Sequence, residues 1–479
     1  MATRTGGAAG AVVGGFGAQT LVGGDGDDVI YGDHPAGAAV TRLAREGAAP
    51  DGGEALAGPA QVAGIAHAGE VRFYAAGAAR GAGGGGGWTV EGDALAPVWS
   101  QTAMFYDADD LRTGAPAIEV GTWRGAGYLV TGGIGVSLAR LDAGGVPEPL
   151  ETLDPDWGTG LLYPDAFELF ERDGTLHVLV AGGWEGGLTV LRFDAFGLRV
   201  DARVEEAVGE PLADVVDVEV AAAGGGTFAL AVSRLEGALS VWRLDDGAPV
   251  RTDQRGVGDG ETGFDLAEAT AVETVTRGDG RVFVYAASEG RTLVYRLGGD
   301  GRLERIGAEA GATALVAVRA DGRDWLLAGE PGAAGGIRVW SVGRDGSLAL
   351  AERRALPPGG PATALAAVAE GDEARILAAR GEAGGHDLLR LRAEGDDSLD
   401  GGVGDDALWG GGGADTLVGG AGEDLLRGET SGDMLRGGPG LDTLKGGIGD
   451  DRMLGGGGDD RALGAGGRDV LRGGAGGDT

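Results

Sequence analysis

The amino-acid sequence predicts an all-β protein, and two internal repeats of different length support this prediction. Residues 392–479, the last 88 of the 479-residue chain, follow a nine-residue register without a gap. Residues 38–391 repeat a longer unit of about 50 residues, in which apolar runs alternate with Asp-Gly and other turn signals. The chain is accordingly predicted to consist of three segments, 1–37, 38–391 and 392–479.

The nine-residue unit combines a glycine-rich turn with a very short strand. Its consensus is GGxGxDxUx, where U is a large apolar residue. Glycine admits positive φ, so the first six residues are predicted to turn tightly and to leave their carbonyl groups accessible. The next three, for example Thr416 to Val418, are predicted to form a strand whose middle residue alone faces the interior. Two units then complete one coil of 18 residues, and coils stack.

Two further units lie at residues 14–31, far from the tail. The first, GGFGAQTLV, carries Gln19 where the tail has Asp. The second, GGDGDDVIY, has Asp28 in place and Ile30 as its apolar residue. These residues make only one coil, which cannot bury its apolar positions alone. We therefore expect this N-terminal coil to pack against another part of the chain.

Calcium is the ligand that this pattern predicts. Stacked coils would align Asp carboxylates and turn carbonyls in one column, and such oxygens are the hard ligands that Ca²⁺ prefers. Without the ion the acidic turns repel one another, and one interior residue per unit buries little apolar surface. The tail is therefore predicted to be disordered without Ca²⁺ and to fold when Ca²⁺ binds. The predicted ligands are Asp28, Asp397, Asp406, Asp415, Asp424, Asp433, Asp442, Asp451, Asp460 and Asp469.

A flexible glycine-rich linker is the alternative interpretation of the tail. A linker needs neither Asp at every ninth residue nor a large apolar residue two places later, so the register favours the folded roll. Some units of the tail are weakened by departures from the consensus. Glu429, Ser431 and Ala465 replace glycines, and Ala462 replaces a large apolar residue. Sites at these units are predicted to be weaker.

The unit GGxGxDxUx resembles the repeats of the RTX, or haemolysin-type, calcium-binding family. The resemblance implies a parallel β-roll that binds Ca²⁺ and an extracellular, secreted protein. Export in this family commonly uses a C-terminal signal read by type I secretion machinery, so the resemblance implies that partner as well. The N-terminus has no apolar core typical of a cleaved signal peptide. Because the sequence ends inside a repeat, we expect the C-terminal signal to be missing from it.

The longer repeat predicts a seven-bladed β-propeller. Its marker, an apolar residue followed by Arg and another apolar residue, recurs at intervals of 45 to 53 residues, with two weaker copies. Four short antiparallel strands per unit of this length are typical of a propeller blade. Six units are clear, and residues 61–102 supply a seventh. The predicted fold class is thus all-β, a seven-bladed β-propeller joined to a parallel β-roll.

The last propeller unit lacks its outer strand, because the nonapeptides begin directly after its third strand. The missing strand is predicted to be Ala39 to Arg45, which would close the ring. This closure would bring Gly32 close to Arg392, so that the N-terminal coil caps the first coil of the roll.

The propeller repeat, for example LTVLRFD at Leu188 to Asp194, resembles that of the seven-bladed lactonase-type propellers. This resemblance implies the fold and the rhythm of the repeat. It does not imply an activity, because one propeller fold hosts many functions.

Four glutamates recur at matching places on the presumed inner strands of consecutive blades. They are Glu119, Glu168, Glu219 and Glu273. Inner strands line the central channel, so these carboxylates are predicted to form an acidic arc that holds a cation or a basic ligand. The alternative is that they pair with the repeated arginines or lie in water at strand ends.

Other candidate residues carry weaker signals. The loops Met104 to Asp110 and Asp154 to Gly160 mix aromatic and acidic residues, which suits carbohydrate or peptide recognition but also the covering of gaps between blades. His177 alternates with apolar residues and is predicted to be a strand histidine. The glycine run Gly81 to Gly87 is predicted to be a loop or insertion. The sequence carries no recognisable catalytic motif, so no catalytic residue is assigned.

Composition limits the possible functions. A net charge of −35 disfavours nucleic acid and anionic lipid as partners and favours divalent cations. No apolar stretch is long enough to span a membrane, and the absence of cysteine excludes disulfides and thiolate sites. The sequence therefore predicts a secreted calcium-binding protein whose propeller binds an extracellular carbohydrate or protein ligand. The alternative is an extracellular, lactonase-like hydrolase with a metal held in the propeller channel.

Overall fold

The computed structural model of the chain is made of β-strands joined by turns. It describes residues 2–5, 11–13, 19–22, 29–31, 38–46, 61–79, 82–92, 94–102, 117–133, 135–153, 161, 164–182, 186–205, 212, 214–245, 247–256, 266, 268–320, 322–332, 335–356, 360–370, 373–380, 386–393 and 396–479. Within these ranges every regular element is a strand, so no helix there could cross a membrane.

Five strands precede the blades of the propeller. They are β1 (Ala2–Thr5), β2 (Ala11–Val13), β3 (Gln19–Val22), β4 (Val29–Tyr31) and β5 (Ala38–Glu46).

Seven four-stranded antiparallel sheets form the propeller, and in the first six blades the strands follow one another in chain order from the inside outward. The first three blades contain β6 (Gln61–His67), β7 (Glu70–Ala79), β8 (Ala82–Glu91) and β9 (Ala94–Thr102); β10 (Ile118–Trp123), β11 (Ala126–Gly133), β12 (Gly135–Leu141) and β13 (Pro147–Leu153); β14 (Ala166–Arg172), β15 (Thr175–Ala181), β16 (Leu188–Asp194) and β17 (Gly197–Val204). The next three contain β18 (Val215–Ala223), β19 (Gly226–Ser233), β20 (Ala238–Arg243) and β21 (Val250–Gly256); β22 (Ala269–Thr276), β23 (Val282–Ser288), β24 (Arg291–Leu297) and β25 (Leu303–Ala310); β26 (Leu315–Ala320), β27 (Arg323–Gly329), β28 (Gly336–Val342) and β29 (Leu348–Ala355). The seventh contains β30 (Ala362–Glu370), β31 (Glu373–Arg380) and β32 (His386–Ala393).

The seventh blade is completed by β5, as the sequence predicted. Strand β32 pairs with β5 in antiparallel register, from His386 opposite Glu46 to Ala393 opposite Ala38. The beginning and the end of the propeller therefore lie side by side in one sheet, which closes the ring.

Every blade has a one-residue bulge at the same place in its outer strand. In the second blade, for example, Leu138 pairs with Glu151 and Ala139 with Pro149, so Leu150 has no partner across the ladder. The same shift occurs between the third and fourth strands of all the other blades. A bulge twists an edge strand and hinders its pairing with another chain. The seven bulges thus protect the rim of the propeller.

Residues 82–87 of the glycine-rich run belong to strand β8, so the prediction of a loop or insertion at Gly81 to Gly87 is wrong for them, while Gly81 lies outside the described residues. Strand β8 pairs with β7 on one side and β9 on the other. A Cβ added at Gly87 would lie 2.9 Å from the ring of Tyr74, so the glycine makes room for this buried tyrosine. Pairing on both sides overrides the low strand propensity of glycine.

The tail forms a roll of two parallel sheets, and successive nonapeptides alternate between them. The strands are β33 (Ser398–Val403), β34 (Ala407–Gly412), β35 (Thr416–Ala421), β36 (Leu425–Thr430), β37 (Met434–Pro439), β38 (Thr443–Ile448), β39 (Arg452–Gly457), β40 (Arg461–Gly466) and β41 (Val470–Ala475). One sheet has the order β1-β3-β33-β35-β37-β39-β41 and the other β2-β4-β34-β36-β38-β40.

The N-terminal coil is part of this same roll, as predicted. Leu21 of β3 lies opposite Leu399 of β33, and Ile30 of β4 lies opposite Leu408 of β34. Strands β1 and β2 extend the roll by an earlier coil that the sequence analysis missed, because its two units have Ala2 and Gly10 in place of Asp and the first has Arg4 in place of the large apolar residue. The propeller is therefore inserted into the roll between β4 and β33.

A single row of large side chains fills the interior of the roll. It consists of Leu21, Ile30, Leu399, Leu408, Leu417, Leu426, Leu435, Leu444 and Met453, none more than 2% exposed. The strands are longer than the predicted three residues, because the start of each following unit also pairs. Strand β35 continues beyond Val418 to Ala421, and Gly420 pairs with Gly402 one coil earlier.

Glycines at the second and fourth positions have positive φ and touch the preceding coil. Gly420 has a φ of 115°, and a Cβ added there would overlap the carbonyl oxygen of Gly402. Glu429, Ser431 and Ala465 adopt the left-handed region, with φ of 81°, 81° and 78°. A residue with a Cβ is strained there by roughly 1–2 kcal/mol.

Replacing Glu429, Ser431 or Ala465 singly by glycine is expected to stabilise the roll by about 1 kcal/mol, because the relief of strain exceeds the extra backbone entropy that glycine loses. Denaturant unfolding with Ca²⁺ present measures the change. Thr430→Gly is the matched control, since Thr430 lies between two of these residues without a positive φ. It is expected to destabilise by roughly 0.5–1 kcal/mol. A loss of stability in Ala465→Gly would contradict the strain at this position.

Candidate functional site

The sixth-position aspartates of the tail form two columns along the roll. In each column the backbone N–H of one aspartate donates to Oδ1 of the aspartate one coil later. The N–H of Asp397 lies 2.8 Å from Oδ1 of Asp415, measured from the nitrogen, and the nitrogen of Asp415 lies 2.9 Å from Oδ1 of Asp433. One column contains Asp397, Asp415, Asp433, Asp451 and Asp469, and the other contains Asp406, Asp424, Asp442, Asp460 and Asp478. Stacking therefore uses one oxygen of each carboxylate.

The second oxygen is left without a donor in the middle of the roll. Asp424, Asp433, Asp442, Asp451 and Asp460 are at most 2% exposed, and their Oδ2 atoms accept no hydrogen bond from the described residues. A buried carboxylate oxygen without a partner is costly, and such oxygens occur where a cation or water completes the site. A row of them fits a bound divalent cation.

The first glycine of each unit creates the space beside this oxygen. A Cβ added at Gly428 would collide with Oδ2 of Asp433 and lie 2.8 Å from the carbonyl oxygen of Gly446. At Gly437, the corresponding Cβ would collide with Oδ2 of Asp442 and lie 2.7 Å from the next coil's carbonyl oxygen. A carboxylate oxygen and a backbone carbonyl thus approach the same point from adjacent coils. This is the donor set that Ca²⁺ takes in proteins.

Burial raises the pKa values of these carboxyl groups. It raises the pKa of Asp433 to about 8 and that of Asp424 to about 6, against the opposing effect of the backbone hydrogen bonds, and the neighbouring aspartates add to the rise. Burial likewise raises the pKa of Asp442 and Asp451. The protein itself therefore does not fully neutralise the negative charge of the columns, and a bound cation would neutralise it.

The outer members of the predicted ligand set differ in their setting. Asp397, Asp406 and Asp415 are buried like the central members, whereas Asp469 in the last coil is only partly buried. Asp28 lies outside the described residues. Calcium binding at each of these individual positions stays a prediction.

The four predicted glutamates meet in the propeller. Glu119 on β10, Glu168 on β14, Glu219 on β18 and Glu273 on β22 border one central cavity of about 310 Å³. Asp217, which the sequence analysis missed, borders it as well. Its spacing of two residues from Glu219 places both side chains on one face of β18, and this spacing was the available signal.

The protein itself holds these carboxyl groups. Backbone N–H groups of Val272 and Val218 donate to Asp217 at 2.9 and 3.0 Å, and the hydroxyl of Thr274 donates to Glu219 at 3.2 Å. Burial raises all five pKa values, and repulsion between the acidic groups adds to the rise for the four glutamates. The pKa rises to about 8 for Glu119 and Glu273, to about 7 for Asp217, and well above its usual range for Glu168 and Glu219.

The acidic cavity does not form a ready metal cage. Among the described residues, no three acidic or histidine side chains converge closely enough to hold a metal ion. This is also true of the roll, where the oxygens come from carboxylates together with backbone carbonyls. A cation in the cavity stays a prediction.

The remaining candidates are structural or lie outside the described residues. His177 is a buried strand histidine, as predicted, with Nδ1 3.0 Å from the carbonyl oxygen of Thr175, and burial lowers its pKa. The loop 104–110 and the loop 154–160 are not among the described residues.

Comparison with known proteins identifies the roll. The family model of the RTX calcium-binding nonapeptide repeat matches residues 13–34, 393–426, 427–462 and 446–479. These are the two chain segments that the structure joins into one roll. No curated protein sequence matches the chain.

Several solved structures resemble the propeller. A periplasmic gluconolactonase from Pseudomonas aeruginosa is 13% identical, with 60% of this chain and 83% of that chain covered and a TM-score of 0.45. A catalytically inactive virginiamycin B lyase from Staphylococcus aureus is 9% identical, with 74% and 99% covered and a TM-score of 0.44. A protein from Lactobacillus plantarum is 16% identical, with 63% and 86% covered and a TM-score of 0.45. None of these likenesses bears on activity.

The nonapeptide register, the stacked aspartate columns and the matched family model agree. The chain carries RTX calcium-binding nonapeptide repeats in residues 13–34 and 393–479, and a seven-bladed β-propeller is inserted into the β-roll that they form.

Proposed function

We propose that Ca²⁺ folds the roll outside the cell, and that the folded roll supports the propeller as a secreted binding or adhesion module. The observation that carries this proposal is the set of buried aspartates whose Oδ2 atoms have no donor. Free Ca²⁺ is scarce inside cells, so the roll would stay unfolded and transportable there, as type I export requires. Extracellular Ca²⁺ suits weak sites with dissociation constants of about 10⁻⁴ to 10⁻³ M.

The arrangement of the two propeller faces supports separate roles, with the roll attached at one face and a ligand bound at the other. Strand β32 leaves the seventh blade for the roll on the face that carries tight hairpins such as Asp173-Gly174. Arg323, at the same face, forms an ion pair with Asp396 at the start of the roll. The connections from one blade to the next begin and end on the opposite face, and two of them contain the aromatic and acidic loops 104–110 and 154–160. An extracellular carbohydrate or protein ligand would bind at that face.

Ca²⁺ affinity is expected to depend on the central aspartates. Asp433→Asn removes one charged oxygen ligand, so we expect calcium binding in the middle of the roll to weaken by about tenfold or more. Isothermal titration calorimetry of the full chain measures this, with Mg²⁺ as the control ion. Asp400→Asn is the matched control, because Asp400 is exposed on the outer face of β33. Equal affinity in the two variants would contradict the assignment of the columns.

Ca²⁺ affinity is also expected to rise with pH. The pKa of Asp433 is about 8 and that of Asp424 about 6, so protons compete with the ion for both carboxylates below these values. Between pH 8 and pH 6 we expect affinity to fall by on the order of tenfold per pH unit where Asp433 contributes. Titrations at pH 6, 7 and 8 measure the slope, and Asp433→Asn should flatten it. A pH-independent affinity would show that these carboxylates are not the ligands.

Calcium is further expected to stabilise the closure of the propeller ring, because both of its ends continue into one roll. Hydrogen–deuterium exchange of the β5–β32 amides should slow when Ca²⁺ is added, more than exchange in β19 and β20. Ile30→Ser disrupts the N-terminal coil at its buried residue and should remove this effect. Met453→Ser makes the same kind of change far along the roll and should preserve it. Identical protection in both variants would argue against coupling between roll and ring.

The second candidate, an extracellular lactonase-like hydrolase, is favoured by one observation, the five carboxyl groups around the propeller cavity. A hydrolase with a channel metal should lose activity on lactone substrates when Glu119, Glu168, Glu219 or Glu273 is singly replaced by Gln. A binding module should keep ligand affinity in all four variants.

The acidic cavity predicts a pH dependence of stability. The pKa of Glu119 and of Glu273 is about 8 in the folded chain and lies near 4.5 when unperturbed, so the folded state keeps protons that the unfolded state releases. This contribution is therefore fully favourable below pH 4.5, and stability falls as pH rises toward 8. Urea unfolding at pH 5.5 and pH 8 with saturating Ca²⁺ tests it. Glu219→Gln should reduce the fall, while Glu148→Gln, on an exposed edge strand, should not.

A further inference from the structure

The cationic residues of the roll are unevenly distributed along it. The seventh and ninth positions of each unit lie on either side of the eighth, which is buried as far as Met453, partly buried at Ala462 and 44% exposed at Leu471. In β33, β34 and β35 these positions hold no cation. From β36 to β41 they hold six cations and no acid, namely Arg427, Arg436, Lys445, Arg452, Arg461 and Arg472. Positive charge is thus confined to the coils farther from the propeller, in a chain whose net charge is −35.

On one sheet these cations alternate with aliphatic side chains in two rows. Parallel pairing of β37, β39 and β41 aligns Met434, Arg452 and Val470 in one row. It aligns Arg436, Leu454 and Arg472 in the other. Adjacent strands are about 4.8 Å apart, so each arginine has aliphatic neighbours across the strands. We call this surface, formed by these six residues, the distal face.

The distal face is exposed, and its charges are not neutralised by the protein. Met434, Leu454 and Val470 are 50%, 38% and 49% exposed. Among the described residues, neither Arg436, Arg452 nor Arg472 takes part in an ion pair.

The acidic groups nearest to the distal face do not cancel it. The sixth-position Asp433 and Asp451 are buried, where a bound cation would neutralise them, and Asp469 is partly buried. Asp450, in the turn before β39, is exposed and sets one negative charge against the three arginines. The calcium-loaded roll therefore presents a positive, partly apolar surface at this end. At physiological ionic strength, salt screens the negative charge of the propeller beyond about 8 Å. The local charge of the distal face therefore determines which partners it attracts.

We infer that the distal face docks on an anionic phospholipid surface. Guanidinium groups form charge-assisted hydrogen bonds with lipid phosphates, and they lie beside aliphatic residues that can enter the interface. The aliphatic half of the face favours a lipid surface over an anionic polysaccharide, which offers carboxylates or sulfates without an apolar layer. The six residues align only when the coils are stacked, so docking follows the folding of the roll.

Vesicle flotation with the full chain tests the docking. In millimolar Ca²⁺, we expect the chain to bind vesicles of phosphatidylglycerol and phosphatidylcholine and not vesicles of phosphatidylcholine alone. Each arginine removed should lower the partition coefficient about fivefold. The triple variant Arg436→Gln, Arg452→Gln, Arg472→Gln should therefore lose about 100-fold. Arg468→Gln is the matched control, because Arg468 is exposed in a turn of the same roll, off the sheet face.

Three results would overturn the docking site. The first is equal vesicle binding by the wild-type chain and the triple variant, which would indicate calcium bridges between acidic groups and lipid. The second is absence of binding to anionic vesicles while circular dichroism and calorimetry show a folded, calcium-loaded roll. The third is binding to a soluble anionic polysaccharide but not to vesicles. Equal calcium affinity in the wild-type chain and both variants separates a docking defect from a folding defect.

Discussion

The backbone pairing of β3 and β4 with β33 and β34 is the interaction on which the arrangement of the whole chain depends. A coil with one large apolar residue per nonapeptide buries too little to stand alone, so it exists only as a member of a stack. By continuing the same stack from both ends of the chain, the roll brings the two ends of the propeller together. Strand β5 then lies where the seventh blade lacks its outer strand.

This topology couples the closure of the propeller ring to the assembly of the roll. The propeller already holds its ends adjacent through β5 and β32, so the N-terminal coil finds its partner without the entropy cost of closing a loop of more than 360 residues. Conversely, each interaction that stabilises the first coils of the roll opposes the release of β5. The fold therefore makes calcium binding and ring closure thermodynamically linked, since a ligand that binds only the assembled state stabilises everything on which that state depends.

The sequence determined most of this architecture because its information is periodic and local. The aspartate register located the roll, and the spacing of the strand motifs gave seven blades and the closing strand near Ala39 to Arg45. Where non-local contacts decide, the sequence was less informative. Strand β8 is built largely of glycine and is a strand only because β7 and β9 pair with it. The coil of β1 and β2 has Gly10 at the diagnostic position, and recognising it required the stack itself.

The two acidic regions show why charge alone does not identify a calcium site. The five carboxyl groups around the propeller cavity extend from four blades. Asp217 and Glu219 accept hydrogen bonds from backbone and hydroxyl donors, and among the described residues no three acidic groups converge to hold a metal ion. In the roll, a ladder of backbone N–H groups holds the stacked aspartates, and central members such as Asp433 and Asp442 have one oxygen left beside a glycine and a carbonyl of the adjacent coil. Burial raises pKa values in both arrangements, so protonation does not distinguish them. In the roll, stacking holds carboxylate oxygens and backbone carbonyl oxygens at a fixed spacing. A proton can bind only one of these oxygens, whereas a cation can bind several. The geometry of the donors, rather than their charge, therefore assigns calcium to the roll.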